Sequence, residues 1–351
     1  MFSLENFFQS KNLSSCIVAE IGINHNGDIS IAKESIIAAS EAGVQSVKFQ
    51  NYYTEDFITD RNLTLNYKVH DEDIVESQYD LFKRCELTFE ELAELKELCD
   101  SLGILFHSTP TSLKGIQELQ LLGCEFLKNG SDYLCNHRLI KFMGESGLTT
   151  IISTGMATIS EIDSAVKVFR QTGNENLILL HCTSSYPTPP EHVNLARIQT
   201  LRDAFDVEVG FSDHTDGIVA AVGARLKGAR WIEKHFTLDK NLVGPDHWFS
   251  LDPQEMKNLV HSVKDAEKMI GKKVISPAPC ESYGKKYFRL SCVAARDLPS
   301  GVQIQSSDIN FQRPGDGIEP MFEELIVGLD LKSSLKKGQQ FNMKHFNSQN
   351  D

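Results

Sequence analysis

The 8 cysteines form no Cys-x-x-Cys pair, so the sequence carries neither a zinc-ribbon signature nor a thioredoxin-type redox motif. Positive charge is in deficit: 35 Lys and Arg face 48 Asp and Glu, a formal net charge of −13. Such a surface repels nucleic acid and anionic lipid, and neither is expected as a partner. It repels phosphorylated metabolites too, so any lysine that reverses the potential locally becomes a candidate ligand. No run approaches the roughly 18 uninterrupted apolar residues of a membrane-spanning helix. Residues 1–12 hold Glu5 and one Lys, with no apolar core leading to a small-residue cleavage site, so no secretory signal is expected. The scattered cysteines then read as small buried hydrophobes in a reducing, cytoplasmic chain. A hydrophobic share of 41% excludes a disordered or collagenous protein.

What is present is alternation. Short β-branched or apolar runs occur at 16–22, 46–51, 104–109, 126–130, 149–154, 177–183, 207–212 and 230–236, with helical periodicity between most of them. Thr88 with Glu91 and Thr158 with Glu161 are capping-box pairs, and Asp252 followed by Pro253 opens a further helix. Strand–helix repetition predicts a parallel sheet covered by helices. Eight repeats in about 250 residues suit a closed (β/α)8 barrel over residues 1–271, with an open doubly wound sheet as the alternative. The connection from 52 to 102 is unusually long, and a lid over the barrel mouth is expected. Residues 272–287 hold Pro277, Pro279 and two Lys pairs and read as a linker. Beyond it, 288–351 is expected to be a small β-rich module with two similar turns, Leu298 to Gly301 and Leu335 to Gly338.

In such barrels, reactive residues gather where the strands end. Those ends carry Glu20, Lys48, Gln50, Thr109, Lys128, Ser131, Ser153, Ser184, Tyr186, Ser212, His214, Glu233 and His235. Lys48 and Lys128 are expensive to bury without a counter-charge, and an anion among the hydroxyls of Ser131, Ser153 and Ser212 would supply one. Pairing with Glu20 and Glu233 is the alternative. His214 and His235 end adjacent strands, where two imidazoles and oxygen donors suit Mn, Fe, Co or Zn. His107 and His181 lie inside apolar runs and read as structural residues. The residues alone support a metal-assisted barrel enzyme acting on a small phosphorylated or carboxylated substrate.

Five of these segments carry a resemblance. They are Ala19-Glu20-Ile21-Gly22-Ile23-Asn24-His25-Asn26-Gly27, Ser153-Thr154-Gly155-Met156, His181-Cys182-Thr183-Ser184-Ser185-Tyr186-Pro187, Ser212-Asp213-His214-Thr215 and Glu233-Lys234-His235-Phe236. Together they resemble the sialic acid (nonulosonic acid) synthase family, and Arg313-Pro314-Gly315-Asp316-Gly317 resembles the antifreeze-like (SAF) domain joined to that barrel. The resemblance implies condensation of phosphoenolpyruvate with an N-acetylated hexose such as N-acetylmannosamine, giving N-acetylneuraminate and phosphate, with a legionaminic acid synthase as the alternative. A different phosphoenolpyruvate–aldose condensing enzyme and a non-catalytic sugar- or ice-binding protein are the remaining readings. It implies Mn2+ on His214 and His235, with Mg2+ or Co2+ as substitutes. Lys48, Thr109, Lys128, Ser131, Ser153, Ser184 and Ser212 match positions that hold phosphoenolpyruvate. Gln50, Tyr186 and Asp246 match the sugar side, and Glu20 and Glu233 handle protons beside Lys128. A homodimer with swapped C-terminal domains would bring Arg313 to the sugar's N-acetyl group. Departures are Asn129, where the family has an aliphatic residue, and Tyr133, where it has an acid, with Asp132 one step earlier. Pseudaminic acid synthases tend to read Ser-Ala-Asn-His where this chain reads Gly22-Ile23-Asn24-His25, which disfavours that product.

Overall fold

Among the described residues up to His235 lie ten strands: β1 Cys16–Gly22, β2 Ser46–Asn51, β3 Thr64–Val69, β4 Glu72–Ser77, β5 Leu105–Pro110, β6 Phe126–Asn129, β7 Thr149–Ser153, β8 Leu177–Cys182, β9 Glu208–Asp213 and β10 Trp231–His235. The computed structural model describes residues 14–69 and 72–346. All but β3 and β4 join one sheet in the order β5-β2-β1-β10-β9-β8-β7-β6, with parallel pairing throughout. The end strands β5 and β6 meet through His107 and Phe126, whose ring centroids are 4.5 Å apart, so the sheet curls into a nearly closed (β/α)8 barrel. The open-sheet alternative is excluded. Every expected strand is present with ends within one residue.

The strand residues are buried on both faces, which is why their sequences read as apolar runs rather than as alternation. One face packs inside the barrel, where Cys16, Val18, Phe126, Ile151, Ile178, Leu180 and Trp231 fill the lower half. The other face packs under the helices, with Ile17, Ala19, Val47, Phe106 and Ile232 in one large core. A filled floor confines any cavity to the strand ends. The helix punctuation behaves as read. Capping boxes open Phe89–Leu102, Ile159–Arg170 and Pro253–Ile270, and Gly103 closes the first of these with φ 70°.

The long connection holds more structure than its periodicity shows. A turn of helix, Thr54–Phe57, leads to an antiparallel hairpin of β3 and β4, and a second helix follows at Gln78–Arg84. Tyr52, Phe57 and Phe82 pack edge-on at its base with centroids 5.3–5.6 Å apart. His70, which remained unassigned in the sequence, lies outside the described residues.

The backbone separates into two units at Gly271 and Lys272. In the second, β11 Ser291–Ala294 pairs antiparallel with β12 Ile309–Gln312 over a core that includes Cys292, Leu298, Ile304, Leu335 and Phe341. The two similar turns are structurally paired: Leu298 and Leu335 exchange N–H···O bonds of 2.8 and 2.9 Å, and Gly301 and Gly338 have φ 85° and 83°. This unit is small and β-rich as expected, built from one short ladder, single antiparallel bridges and 3₁₀ turns. The stretch read as a linker carries a short helix, Ser282–Tyr287, because Tyr283, Tyr287 and Phe288 pack on one another. All eight cysteines are free thiols, but Cys135 and Cys280 are exposed, against expectation. Among the described residues, no helix is long and apolar enough to cross a membrane.

Candidate active site

One cavity of about 1200 Å³ opens at the strand ends and extends to the β3–β4 hairpin. Fourteen of the expected site residues line it: Glu20, Lys48, Gln50, Thr109, Lys128, Ser131, Ser153, Ser184, Tyr186, Ser212, His214, Glu233, His235 and Asp246. Arg313 belongs to the second unit, where its Nε donates to the Phe288 carbonyl. The lid expectation has a concrete counterpart, since Phe57, Leu65, Tyr67 and Phe82 of the long connection form one wall.

Register explains the convergence. Glu20 pairs with Lys48 on one side and His235 on the other, while Glu233 stands opposite Ser212. Lys48 Nζ lies 2.6 Å from Glu20 Oε2 and donates to Thr109 Oγ1 at 3.1 Å. Lys128 Nζ donates to Ser153 Oγ at 2.6 Å and lies 3.7 Å from Glu233 Oε1. The ion-pair alternative therefore describes how the lysines rest here. It does not exhaust the carboxylates, because Glu20 Oε1 and Glu233 Oε2 are buried with no hydrogen-bond partner. Burial pulls Lys48 down to about 7, with Lys128 adding to the effect. Glu233 sits below the usual carboxylate range: burial opposes this, but Lys128 and Lys48 outweigh it.

On the adjacent strands β9 and β10, His214 and His235 pack edge to face with centroids 5.3 Å apart, beside Tyr186 at 4.2 Å from the first and 6.0 Å from the second. His214 Nδ1 donates to the Thr183 carbonyl at 2.9 Å, which fixes the ring and leaves Nε2 as its open donor atom. His235 is held neutral, chiefly by burial, and its Nδ1 is buried without a hydrogen bond, 3.6 Å from Asp246 Oδ2. Burial also raises Asp246 to about 6. His214 differs from His235: burial opposes its charge, but the Cys182 sulfur and the Thr183 carbonyl outweigh it and raise the ring, so a divalent cation held by both rings would displace its proton. Among the described residues no third His, Cys, Asp or Glu completes a protein-only set, so water and substrate oxygens must fill the other positions.

Gly155 has a steric duty in the hydroxyl cluster. Its N–H donates to Ser131 Oγ at 3.0 Å, and a Cβ there would lie 2.3 Å from Ser184 Oγ and 2.7 Å from Ser131 Oγ. Gly22, at φ 53°, is equally constrained, because a Cβ would meet Glu20 Oε1 at 2.7 Å.

The model of the NeuB family matches residues 35–275. The chain belongs to the NeuB family. A SAF-domain model matches residues 291–347. An N,N'-diacetyllegionaminic acid synthase of Legionella pneumophila is 40% identical over 334 residues, 94% of each chain. A pseudaminic acid synthase of Campylobacter jejuni is 32% identical over 335 residues, covering 92% of this chain and 94% of that one. Among solved structures, the N-acetylneuraminic acid synthetase of Leptospira borgpetersenii in complex with citrate superposes with TM-score 0.70 at 34% identity, covering 77% of this chain and 90% of that chain. These relatives are named as nonulosonic acid synthases, and this chain joins a NeuB-family segment to a SAF domain.

Sequence reasoning missed several lining residues of this NeuB-family site. Cys182 is not core packing: its sulfur lies 3.6 Å from Ser131 Oγ and 3.8 Å from His214 Nδ1. Its place between Leu180 and Ser184 on an inward-facing strand end was the available signal. Met156, Trp248 and Asp132 also line the cavity, and Met156 adopts φ 62°, unusual for a non-glycine residue. Tyr133 lines it as well, beside Asp132. The segment carrying Asp246 and Trp248 is held from behind by Asn24, which donates to Phe236 O at 2.9 Å and Ser250 Oγ at 3.0 Å. His181 is structural as read, bonded to Val193 O at 2.6 Å. His107 is satisfied at Nδ1 by Ser46 but not at Nε2.

Proposed function

We propose that this NeuB-family chain condenses phosphoenolpyruvate with an open-chain N-acetylated hexose, forming a nonulosonic acid and phosphate. The observation that carries the reading is the gathering in one cavity of two buried lysines, five hydroxyl side chains, two histidines and Asp246. In the reaction, C3 of phosphoenolpyruvate bonds to the aldehyde carbon, water adds at C2, and the C2–O bond to phosphate breaks. Lys48 and Lys128 hold the carboxylate and phosphate through charge-assisted bonds. Ser131, Ser153, Ser184, Ser212 and Thr109 satisfy the remaining oxygens and fix the reacting face. Gln50, Tyr186 and Asp246 orient the acceptor. Glu20 and Glu233, each with an unpartnered oxygen, take the proton of the attacking water and return one to the aldehyde oxygen. His214 and His235 would hold Mn2+, or Mg2+ or Co2+ in its place, which when bound polarises the acceptor carbonyl as a Lewis acid. The swapped homodimer, with Arg313 on the acceptor's acetyl group, belongs to the same proposal.

Two acceptors are supported. N-acetylmannosamine, giving N-acetylneuraminate, is supported by motifs that N-acetylneuraminate and legionaminate synthases share and by the likeness to the N-acetylneuraminic acid synthetase, 34% identical. A hexose with two acetamido groups follows from the diacetyllegionaminic acid synthases, 40% and 37% identical to this chain, since phosphoenolpyruvate supplies neither acetyl group. Pseudaminate is disfavoured by Gly22-Ile23-Asn24-His25, where pseudaminic acid synthases tend to read Ser-Ala-Asn-His. The test is phosphate release from phosphoenolpyruvate with a panel of N-acetylated hexoses, followed by product mass. Release that depends on one acetamido hexose supports the reading; acceptor-independent release, or none with any acceptor, overturns it.

A further inference from the structure

Behind the barrel wall, on the face away from the cavity, Asp213 and Lys234 form an ion pair at 3.0 Å with both side chains 0% exposed. They are cross-strand partners on β9 and β10, and each immediately precedes a histidine of the site, His214 and His235. The pair also grips the chain beyond His214. Asp213 Oδ1 accepts from Thr215 N at 2.9 Å and from Thr215 Oγ1 at 2.8 Å, and Lys234 Nζ donates to the Thr215 carbonyl. All three polar groups of Thr215 are therefore tied to the two residues that immediately precede the histidines on adjacent strands.

Stability is a weak reason for such a pair. A fully buried ion pair pays desolvation on both charges, and apolar replacement is often neutral or stabilising. Its specific contribution is geometric: charge and hydrogen-bond direction allow one spacing between β9 and β10 where apolar packing allows several. We propose that Asp213 and Lys234 are positioning residues that set the separation and tilt of the His214 and His235 imidazoles. They touch neither substrate nor cation. The inference rests on the proposed use of the two histidines as cation ligands, and groups that orient ligands typically tune affinity by about 10–100-fold.

The test uses the full chain, metal-free and then titrated with Mn2+, in D213N, K234M and the double variant D213N/K234M. Three readouts are taken: the urea midpoint, Mn2+ affinity from water-proton relaxation, and the ring signals of 13C-labelled His214 and His235 without metal. Each single variant strands a charge and loses both stability and affinity. The double variant regains the midpoint, while its Mn2+ affinity stays about 10–100-fold down and both ring signals remain displaced. A double variant that recovers midpoint, affinity and ring signals together makes the pair merely structural and overturns the proposal. If the wild type takes up no Mn2+, the cation reading fails separately, and unmoved ring signals in the double variant then overturn the positioning role. Should the double variant not fold, T215V keeps both charges and removes one bond to Asp213. It is expected to displace the His214 signal, and an unmoved signal overturns the proposal.

Discussion

Lys48 and Glu20 lie 2.6 Å apart on neighbouring strands, both buried at the wall of the cavity. Each offsets the other's buried charge, and in the proposed reaction phosphoenolpyruvate would compete with Glu20 for the same ammonium group. Two properties then separate on mutation. Lys48→Met strands the carboxylate and lowers stability by about 3–5 kcal/mol. Adding Glu20→Gln recovers most of that loss. Neither change restores the anion contact, so KM for phosphoenolpyruvate stays about 10–100-fold up, with the acceptor KM within about threefold. Urea midpoints and phosphate-release kinetics on both variants check this, and an unchanged KM for phosphoenolpyruvate assigns Lys48 to structure alone.

Gly155→Ala tests the hydroxyl cluster without touching a charge. The new methyl would sit 2.3 Å from Ser184 Oγ and 3.1 Å from Ser131 Cβ, and Ser131 cannot rotate its own Cβ away. Phosphoenolpyruvate binding should weaken by at least tenfold, about 1.4 kcal/mol, with little change in melting temperature. Calorimetry with phosphoenolpyruvate alone reads this directly. Binding at wild-type strength would show that the anion does not use this cluster.

His25 and His247 make stability pH-dependent. Burial lowers both to about 4, and each accepts a hydrogen bond that only a neutral ring can take. Gly27 N donates to His25 Nδ1 at 3.1 Å, and Asn26 Nδ2 lies 3.3 Å from His247 Nε2. His247 Nδ1 donates to Thr237 Oγ1 at 2.7 Å, since that hydroxyl gives its own proton to Asp239 O. Glu91 and Asp28 near His25, and Asp239 near His247, pull the other way but lose to burial. With folded values below the unfolded value of about 6.5, the unfolded chain binds more protons as pH falls. Stability is fully present above about pH 6.5 and is lost below it, by roughly 2 kcal/mol per histidine between pH 7.5 and 5. Urea midpoints across this window measure the loss, and His247→Gln should reduce the slope by about one proton. An identical slope in the variant would sink the assignment.

Most of the barrel was legible because its strands are buried on both faces, and a Lys or Glu inside such a run has no folding rationale. Lys48, Lys128, Glu20 and Glu233 stood out for that reason, and His214 and His235 because they end adjacent strands. The β3–β4 hairpin did not. Its residues alternate weakly, and β4 is half-exposed with no apolar face to set a period. Asp213 and Lys234 were invisible for a different reason: a charge at a strand end looks the same whether it faces the cavity or the helices, and only register assigns the face. Cys182 was misread by the general tendency of cysteine to pack as a hydrophobe.

The histidine pair predicts a chelator phenotype. EDTA should abolish turnover and Mn2+ should restore it. His214→Ala or His235→Ala should remove most activity while the melting temperature holds, because neither ring carries the core. Full activity in a chelated preparation would remove the cation from the proposal.

The final prediction concerns Arg313. In its own unit the guanidinium donates to Phe288 O at 3.0 Å and lies 5.5 Å over the Phe288 ring, an exposed stacking arrangement that leaves other donors of the fork open. A planar, fixed-geometry donor set suits an acetamido carbonyl better than a lysine does. If Arg313 serves the cavity of a partner copy, Arg313→Ala and Lys128→Met chains damage different parts of one composite site. Each variant alone should be nearly inactive. In a mixed dimer, one cavity would receive both defects and the other neither, so an equimolar mixture should regain about a quarter of wild-type activity once subunits exchange at random, half the dimers being mixed with one intact site each. Native mass spectrometry confirms the exchange. Exchange without recovered activity would confine Arg313 to its own chain or to no site at all, and the loss in Arg313→Ala would then need a cause within the second unit.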